Sequence, residues 1–176
     1  MAKARSTPDD HKALAALPVR LITVGRAQER MAVHVGGALG DGRTPVVCLA
    51  GYNRNMADWA DFVRVARPRL DETTAFVLLD LKGRGRSGDR SHPAGYSTLN
   101  DASDLIELCR ALAVDRAIFV GQGHGGQVLM ALAARRPSLI AATVLIDAGP
   151  VSDSRGLVRL RGTLNDLTGV RGEASL

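Results

Sequence analysis

Residues 118–130 read IFVGQGHGGQVLM, and this stretch decides the fold. Its apolar start predicts a strand over 117–120, the glycines predict a tight turn, and the apolar residues beyond them predict a helix over about 125–135. A strand that runs at once into a helix is typical of proteins in which the two elements alternate along the chain. The same alternation recurs on both sides of this stretch.

Three further apolar runs, at 46–50, 75–80 and 141–147, predict strands that are buried on both faces, as in a parallel sheet. Ahead of them, 19–24 and 30–35 predict two strands joined by a short turn, which form an antiparallel pair. The sequence therefore predicts an α/β fold with a mostly parallel sheet of about six strands.

Helices are predicted between the strands from the spacing of apolar residues. In the first helix the i, i+3, i+4, i+7 positions of one face are Trp59, Phe62, Val63 and Ala66. The second helix spans about 99–113, and its apolar side comprises Ala102, Leu105, Ile106, Cys109 and Leu112. A short helix is also expected at about 156–166.

The glycine-rich turn fits two known local patterns. One is G-x-S-x-G, in which a serine at the apex of a strand–turn–helix is a catalytic nucleophile. The other is G-x-G-x-x-G, whose glycines let the backbone approach a dinucleotide pyrophosphate. Gly121, Gly123 and Gly126 satisfy the second pattern, whereas the first is satisfied except that Gly123 stands in the place of serine.

The dinucleotide alternative also has an acidic residue in a suitable place. Asp147 ends the next predicted strand, about 20 positions after Gly126, where a ribose-binding carboxylate is expected. Two observations weigh against it: a dinucleotide fingerprint normally lies on the first strand of its sheet, and 83–88, GRGRSG, matches the same pattern with no helix after it. This alternative stays open, but it is the weaker one.

The chain resembles the α/β-hydrolase superfamily over about residues 18–165. The resemblance is carried by four landmarks in order: VVCLAGYNRN, LLDLKGRGRSG, FVGQGHGGQVLMALAARRP and VLIDAGP. The second is similar to the family's Asp-x-Arg-Gly-x-Gly-x-Ser segment, with Lys82 in the usual place of arginine. The resemblance implies a three-layer sandwich with a mostly parallel sheet, truncated after about strand six of the family's eight. Asp80 and Ser87 are then expected to stabilise the loop of this second landmark by hydrogen bonds and to take no part in a reaction.

The resemblance also implies roles for residues around the turn. Gly123 takes the nucleophile position, the backbone amides of Tyr52 and His124 take the oxyanion-hole positions, and Asp147 takes the place where some relatives carry the catalytic acid. Glycine adopts a strained turn without a steric penalty, but it has no atom that can attack a substrate. No histidine follows His124, although the family's general base comes late in the chain.

Composition indicates which partners, cofactors and cellular location to expect. The net charge is +5, but the arginines are scattered and aromatic residues make up only 3%, so nucleic acid is not expected as a partner. No apolar run is long enough to cross a membrane, and Asp9 and Asp10 in the first residues argue against a secretory signal. Cys48 and Cys109 are expected to be free buried thiols in a cytoplasmic protein, and no metal or cofactor is expected.

The resulting expectation has three parts: a polar tail over 1–17, an incomplete α/β-hydrolase core over 18–150, and the start of a lid region with a tail over 151–176. We expect a protein related to hydrolases of small ester or C–X substrates, but catalytically inactive because nucleophile and base are absent. A non-catalytic module that binds a small ligand or a protein is the alternative. Strand 141–147 would leave an apolar sheet edge at which the chain could self-associate.

Overall fold

The computed structural model describes residues 17–25, 28–40 and 42–150. It contains one six-stranded sheet. The strands are β1 (Arg20–Val24), β2 (Glu29–Gly36), β3 (Val46–Leu49), β4 (Phe76–Leu79), β5 (Ala117–Gln122) and β6 (Ile140–Ile146). The α-helices are α1 (Ala60–Ala66), α2 (Thr98–Ala111) and α3 (His124–Arg135).

The strand order across the sheet is β1-β2-β4-β3-β5-β6. β2 is antiparallel to both of its neighbours, and the remaining strand pairs are parallel. In β3 and β4 every residue is buried, as their unbroken apolar sequences predict. Because β3 and β5 are parallel neighbours, the turns that follow them lie side by side at the same edge of the sheet.

Two apolar cores cover the two faces of the sheet and make a three-layer arrangement. Val47 and Leu49 of β3 pack in the core that includes α2 and α3, whereas Val46 and Cys48 pack in the other. The second core is closed by Trp59 and the residues around it. The alternation along β3 follows from the two-residue period of a strand.

Local hydrogen bonds fix where the helices begin. Ser97 precedes α2, and its side-chain oxygen accepts a hydrogen bond from the N–H of Asn100 at 3.2 Å. Asn55 caps the 3₁₀ turn Met56–Trp59 in the same way, by accepting from the N–H of Ala57 at 2.9 Å. These are the residue types that favour the N-cap position.

The prediction of an α/β fold with six strands, mostly parallel, is confirmed. The first predicted helix differs in detail: Trp59 belongs to the 3₁₀ turn before α1, and Phe62 remains 36% exposed instead of lying on a buried face. In α2 the predicted residues Ala102, Leu105 and Cys109 are buried. Leu108 is also fully buried, which the apolar spacing did not indicate.

The prediction that 141–147 is buried on both faces is wrong, whereas the expectation of an apolar sheet edge there agrees with the described structure. β6 lies at the edge of the sheet, and within the described part of the chain it pairs with β5 alone. Val144, Leu145 and Ile146 are consequently 49%, 41% and 41% exposed. An apolar sequence indicates a strand but does not tell whether a further layer or strand covers it.

Several expectations concern other parts of the chain. Nearly all of the tail over 1–17, the region 151–176 and the helix at about 156–166 lie outside the described residues. Cys48 and Cys109 are both buried and unpaired, and burial raises the pKa of each thiol to about 12. Among the helices that the structure describes, none combines the length and the apolar character required to cross a membrane.

Candidate active site

The turn between β5 and α3 has the backbone geometry of a nucleophile elbow. Gly123, its central residue, has φ 49° and ψ −113°, a conformation that residues with a side chain adopt only at a cost. The N–H of Gly123 donates to the carbonyl oxygen of Ile146 at 2.9 Å, and its own carbonyl accepts from the N–H of Gln127 at 3.2 Å. The turn is therefore held to β6 on one side and to α3 on the other.

The glycines of the turn differ in how much space a side chain at their position would have. A Cβ atom on Gly121, Gly125 or Gly126 would lie closer to neighbouring atoms than real Cβ contacts allow, because the strand and the helix are packed tightly here. A Cβ atom on Gly123 would meet only the Cα of Gly51, at 4.0 Å. Open space therefore exists where a side chain at position 123 would project.

The two amides expected to form an oxyanion hole lie on adjacent turns. Tyr52 follows β3 and His124 is the first residue of α3, and their rings meet edge to face with centroids 6.3 Å apart. Among the described residues, no carbonyl or side-chain oxygen accepts a hydrogen bond from either backbone N–H. Two such amides can stabilise a negative oxygen that develops between them.

Asp147 directly follows β6 and has a positive φ of 50°. It is exposed, and its neighbour Ile146 accepts the hydrogen bond from Gly123. The structure therefore places Asp147 one residue from the atom that anchors the elbow. Asp147 itself lies at the carboxyl end of β6, the strand next to β5.

The loop after β4 is held by Asp80 and Ser87, as predicted. Asp80 accepts hydrogen bonds from the N–H groups of Met56 at 2.7 Å and Arg86 at 2.8 Å, although burial raises the pKa of its carboxyl. The hydroxyl of Ser87 donates to the carbonyl of Asp80 at 2.6 Å and accepts from the N–H of Ala32 at 2.8 Å. Both side chains are buried and bind backbone, which gives them a structural role.

Sequence reasoning missed a buried group of charged side chains that reaches the elbow. We call it the ion cluster; its members are Glu29, Lys82, Arg84, Arg90, Asp101 and Asp104. It contains three acidic and three basic groups, so its formal charge is balanced. Each member's side chain is at most 14% exposed.

The contacts within the ion cluster are short. Nζ of Lys82 lies 2.7 Å from Oε2 of Glu29 and 3.1 Å from Oδ1 of Asp104. Nη2 of Arg90 lies 2.5 Å from Oδ1 of Asp101 and 2.7 Å from Oδ2 of Asp104. One signal of the ion cluster was present in the sequence. Asp101 and Asp104 are three residues apart, so they share a face of α2, and the other buried residues of that helix are apolar.

His124 joins the elbow to the ion cluster. Its Nε2 lies 2.9 Å from Oδ2 of Asp101, and Nη1 of Arg84 lies 3.6 Å from that same oxygen. The guanidinium of Arg84 also stands 5.9 Å from the centroid of the Tyr52 ring. The side chains of Tyr52, Arg84 and His124 therefore lie close to one another beside the elbow. Over the described residues, no three His, Cys, Asp or Glu side chains are grouped so that they could hold a metal ion.

Comparison with known proteins agrees with this geometry. A hydrolase from Klebsiella pneumoniae, named for 2-hydroxy-6-oxononadienedioate and 2-hydroxy-6-oxononatrienedioate, is 28% identical over 74% of this chain. The crystal structure of an α/β hydrolase from Novosphingobium aromaticivorans superimposes with a TM-score of 0.73 and 30% identity over 82% of this chain. An epoxide hydrolase from Vigna radiata, 22% identical, shares the fold with a TM-score of 0.66 over 85% of this chain.

The chain spans about half of these proteins: 44% of the Klebsiella hydrolase, 49% of the Novosphingobium chain and 47% of the Vigna chain. The family described as the alpha/beta hydrolase fold matches residues 44–164, which include β3 through β6 and the elbow. The strand order, the elbow at Gly123 and this match agree with one another, and the chain belongs to the α/β-hydrolase family.

Proposed function

We propose that this chain binds a small organic ligand at the elbow and does not form a covalent intermediate with it. The observation that carries the proposal is Gly123 itself. It keeps the φ and ψ of the elbow, with open space beyond it, but supplies no nucleophilic atom. An acyl intermediate needs a side-chain nucleophile, which the α/β hydrolases carry at this position.

The chemistry around Gly123 supports a ligand with a carbonyl or a negative oxygen. The N–H groups of Tyr52 and His124 are free to donate within the described structure, and the ring of Tyr52 is 48% exposed. The guanidinium of Arg84 stands over that ring. The Klebsiella relative is named for dioate substrates, which are small organic anions, and we infer a ligand of similar size and charge.

A phosphonate monoester, which carries a negative oxygen of the required kind, tests ligand binding. In a titration followed by amide NMR, we expect the resonances of Tyr52 and His124 to shift in a saturable manner. The amide of Gly40, in a loop where an added Cβ atom would meet nothing within 4 Å, should not move. Equal shifts at Gly40, or no saturable shift at the elbow, would show that the elbow is not a binding site.

Intact-mass measurement tests the absence of a covalent step. After incubation with p-nitrophenyl acetate, the mass of the protein should be unchanged, and the release of p-nitrophenol should show no burst. An acetyl adduct that forms and decays during turnover would disprove the proposal.

The edge of β6 favours a second candidate function, self-association of two copies. Val144, Leu145 and Ile146 are exposed in a row, and an apolar strand edge is a template for pairing with another strand. Sedimentation velocity over a range of concentrations should detect a dimer that Val144→Lys abolishes. Val65→Lys is the matched control, since Val65 is similarly exposed, at 45%, but lies on α1. A monomer at every concentration would rule this function out.

A further inference from the structure

The hydrogen bond between His124 and Asp101 joins two residues that no sequence motif connects. Asp101 lies in the first turn of α2 and His124 in the first turn of α3, and their side chains are 3% and 14% exposed. The imidazole Nε2 lies 2.9 Å from Oδ2 of the carboxylate. A histidine held by a buried carboxylate is the arrangement that orients a general base in hydrolytic enzymes.

The surroundings keep Asp101 ionised. Burial by itself raises the pKa of this carboxyl, but hydrogen bonds from His124 and Arg90 and the charges of Arg84 and Arg90 lower it below the ordinary value. Arg90 occupies Oδ1 at 2.5 Å, so both carboxylate oxygens have partners. The balanced charge of the ion cluster allows this carboxylate to stay buried.

An ionised carboxylate fixes the tautomer of His124. It has no proton to donate, so Nε2 of His124 must be the donor in this hydrogen bond. In the neutral imidazole the proton is then on Nε2, and Nδ1 carries the lone pair. Asp101 is therefore a positioning residue, because it sets which nitrogen can accept a proton.

His124 is the first residue of α3, and its ring lies edge to face with that of Tyr52, with centroids 6.3 Å apart. It follows Gly123 in the chain, and its own N–H is one of the two amides available to a negative oxygen. We propose that His124, oriented by Asp101, is a general base that activates water at the elbow for the hydrolysis of small esters. This activity goes beyond the proposed function and rests on the same ligand-binding elbow.

The reaction balances without a further reactant. Nδ1 of His124 takes a proton from water while the water oxygen bonds to the ester carbonyl carbon. The carbonyl oxygen becomes an oxyanion that the N–H groups of Tyr52 and His124 stabilise. The carbon–oxygen bond to the alcohol then breaks, the leaving oxygen takes the proton back from Nδ1, and the products are a carboxylic acid and an alcohol.

The experiment uses p-nitrophenyl acetate with the full chain and three variants. His124→Gln keeps a donor that can bind Asp101 but removes the base, and we expect the enzyme-dependent rate to fall roughly 100-fold. His92→Gln is the matched control, an exposed histidine in the turn before α2, and its rate should equal that of the unaltered chain. If the unaltered chain shows no rate above buffer, or if the two glutamine variants have the same rate, the proposal is wrong.

Asp101→Asn tests whether Asp101 positions His124, separately from any role of Asp101 in folding. We expect a lower kcat with KM little changed, because the imidazole loses the carboxylate that fixes its tautomer and orientation. Nitrogen-15 NMR of the unaltered chain gives a readout independent of activity: neutral His124 should carry its proton on Nε2. A proton on Nδ1 would overturn the proposal even if esters are hydrolysed.

The two proposals fail in different ways. An acetyl adduct during turnover would disprove the proposed absence of a covalent step, whichever rate His124→Gln shows. Saturable phosphonate binding without hydrolysis would leave ligand binding intact and would reject the general base alone. Circular dichroism and thermal unfolding of each variant identify any loss of rate that is due to loss of structure.

Discussion

Nζ of Lys82 lies 2.7 Å from Oε2 of Glu29, a residue 53 positions earlier in the chain. The lysine side chain is only 1% exposed and the glutamate 12%. This contact joins the loop after β4 to the start of β2, and through Asp104 it extends to α2. The loop that carries Arg84 towards the elbow is thus fixed by buried charges, and these charges can be tested one at a time.

Removing the lysine should be strongly destabilising. In Lys82→Met, the carboxylates of Glu29 and Asp104 lose a buried partner, and we expect the free energy of unfolding to fall by about 3–5 kcal/mol. Arg64→Met is the control, because the Arg64–Asp61 pair is exposed, with side chains 72% and 88% accessible. Its effect should stay below about 0.5 kcal/mol in urea unfolding. Equal effects of the two changes would contradict the structural role of the ion cluster.

Glu29 should make the stability of the protein sensitive to acid. Burial alone raises the pKa of its carboxyl, but hydrogen bonds from Lys82 and Ser91 lower it to about 2, against 4.5 ordinarily. A lowered pKa means that the folded chain binds the proton less readily than the unfolded chain. The resulting stability is present above pH 4.5 and is lost as the pH falls towards 2.

The measurement is the free energy of unfolding between pH 6 and pH 2.5 (roughly the span of this titration). Glu29→Gln should be less stable at the upper end and should show a shallower fall towards acid. Glu72→Gln, at an exposed position, serves as the control and should follow the unaltered chain. If all three curves have the same slope, the lowered pKa of Glu29 is not linked to folding.

The glycines of the elbow should respond differently to alanine. Gly125→Ala places a Cβ atom against the carbonyl oxygen of Leu49, which is backbone and cannot move aside. We expect a loss of about 3 kcal/mol or more. Gly123→Ala meets open space, so only its positive φ of 49° is costly, and about 1–2 kcal/mol should be lost. Thermal unfolding of both variants measures which one loses more stability. A larger loss for Gly123→Ala than for Gly125→Ala would show that the packing between β3 and α3 is looser than described.

Ser87 should contribute through its two backbone contacts. Ser87→Ala removes the acceptor for the N–H of Ala32, which is buried, and the donor to the carbonyl of Asp80. Leaving a buried N–H without a partner costs about 1–3 kcal/mol, to be read from urea unfolding. Ser103→Ala removes a hydroxyl whose hydrogen bonds, to the carbonyl of Leu99 and from the guanidinium of Arg135, are both exposed, and it should change stability by less than about 0.5 kcal/mol. An unchanged stability of Ser87→Ala would mean that another group can take over both hydrogen bonds.

The sequence alone determined the fold class and the place of the elbow. Both depend on local signals: the unbroken apolar runs of β3 and β4, and the glycines that follow β5. The roles of Asp80 and Ser87 were also readable, because both lie in one short turn-rich segment. Such signals act within a few residues and need no knowledge of distant neighbours.

Tertiary structure alone decided the ion cluster and how far the side chains of β6 are exposed. Asp101, Arg90 and His124 are distant in sequence, and they meet because α2 and α3 pack on the same face of the sheet. A charged residue in a sequence is most often solvated, so only the packing shows that these charges are buried and paired. The family resemblance already implied an apolar sheet edge at 141–147, but only the structure shows that Val144, Leu145 and Ile146 are 41–49% exposed, because an apolar strand has the same sequence whether its faces are covered or not.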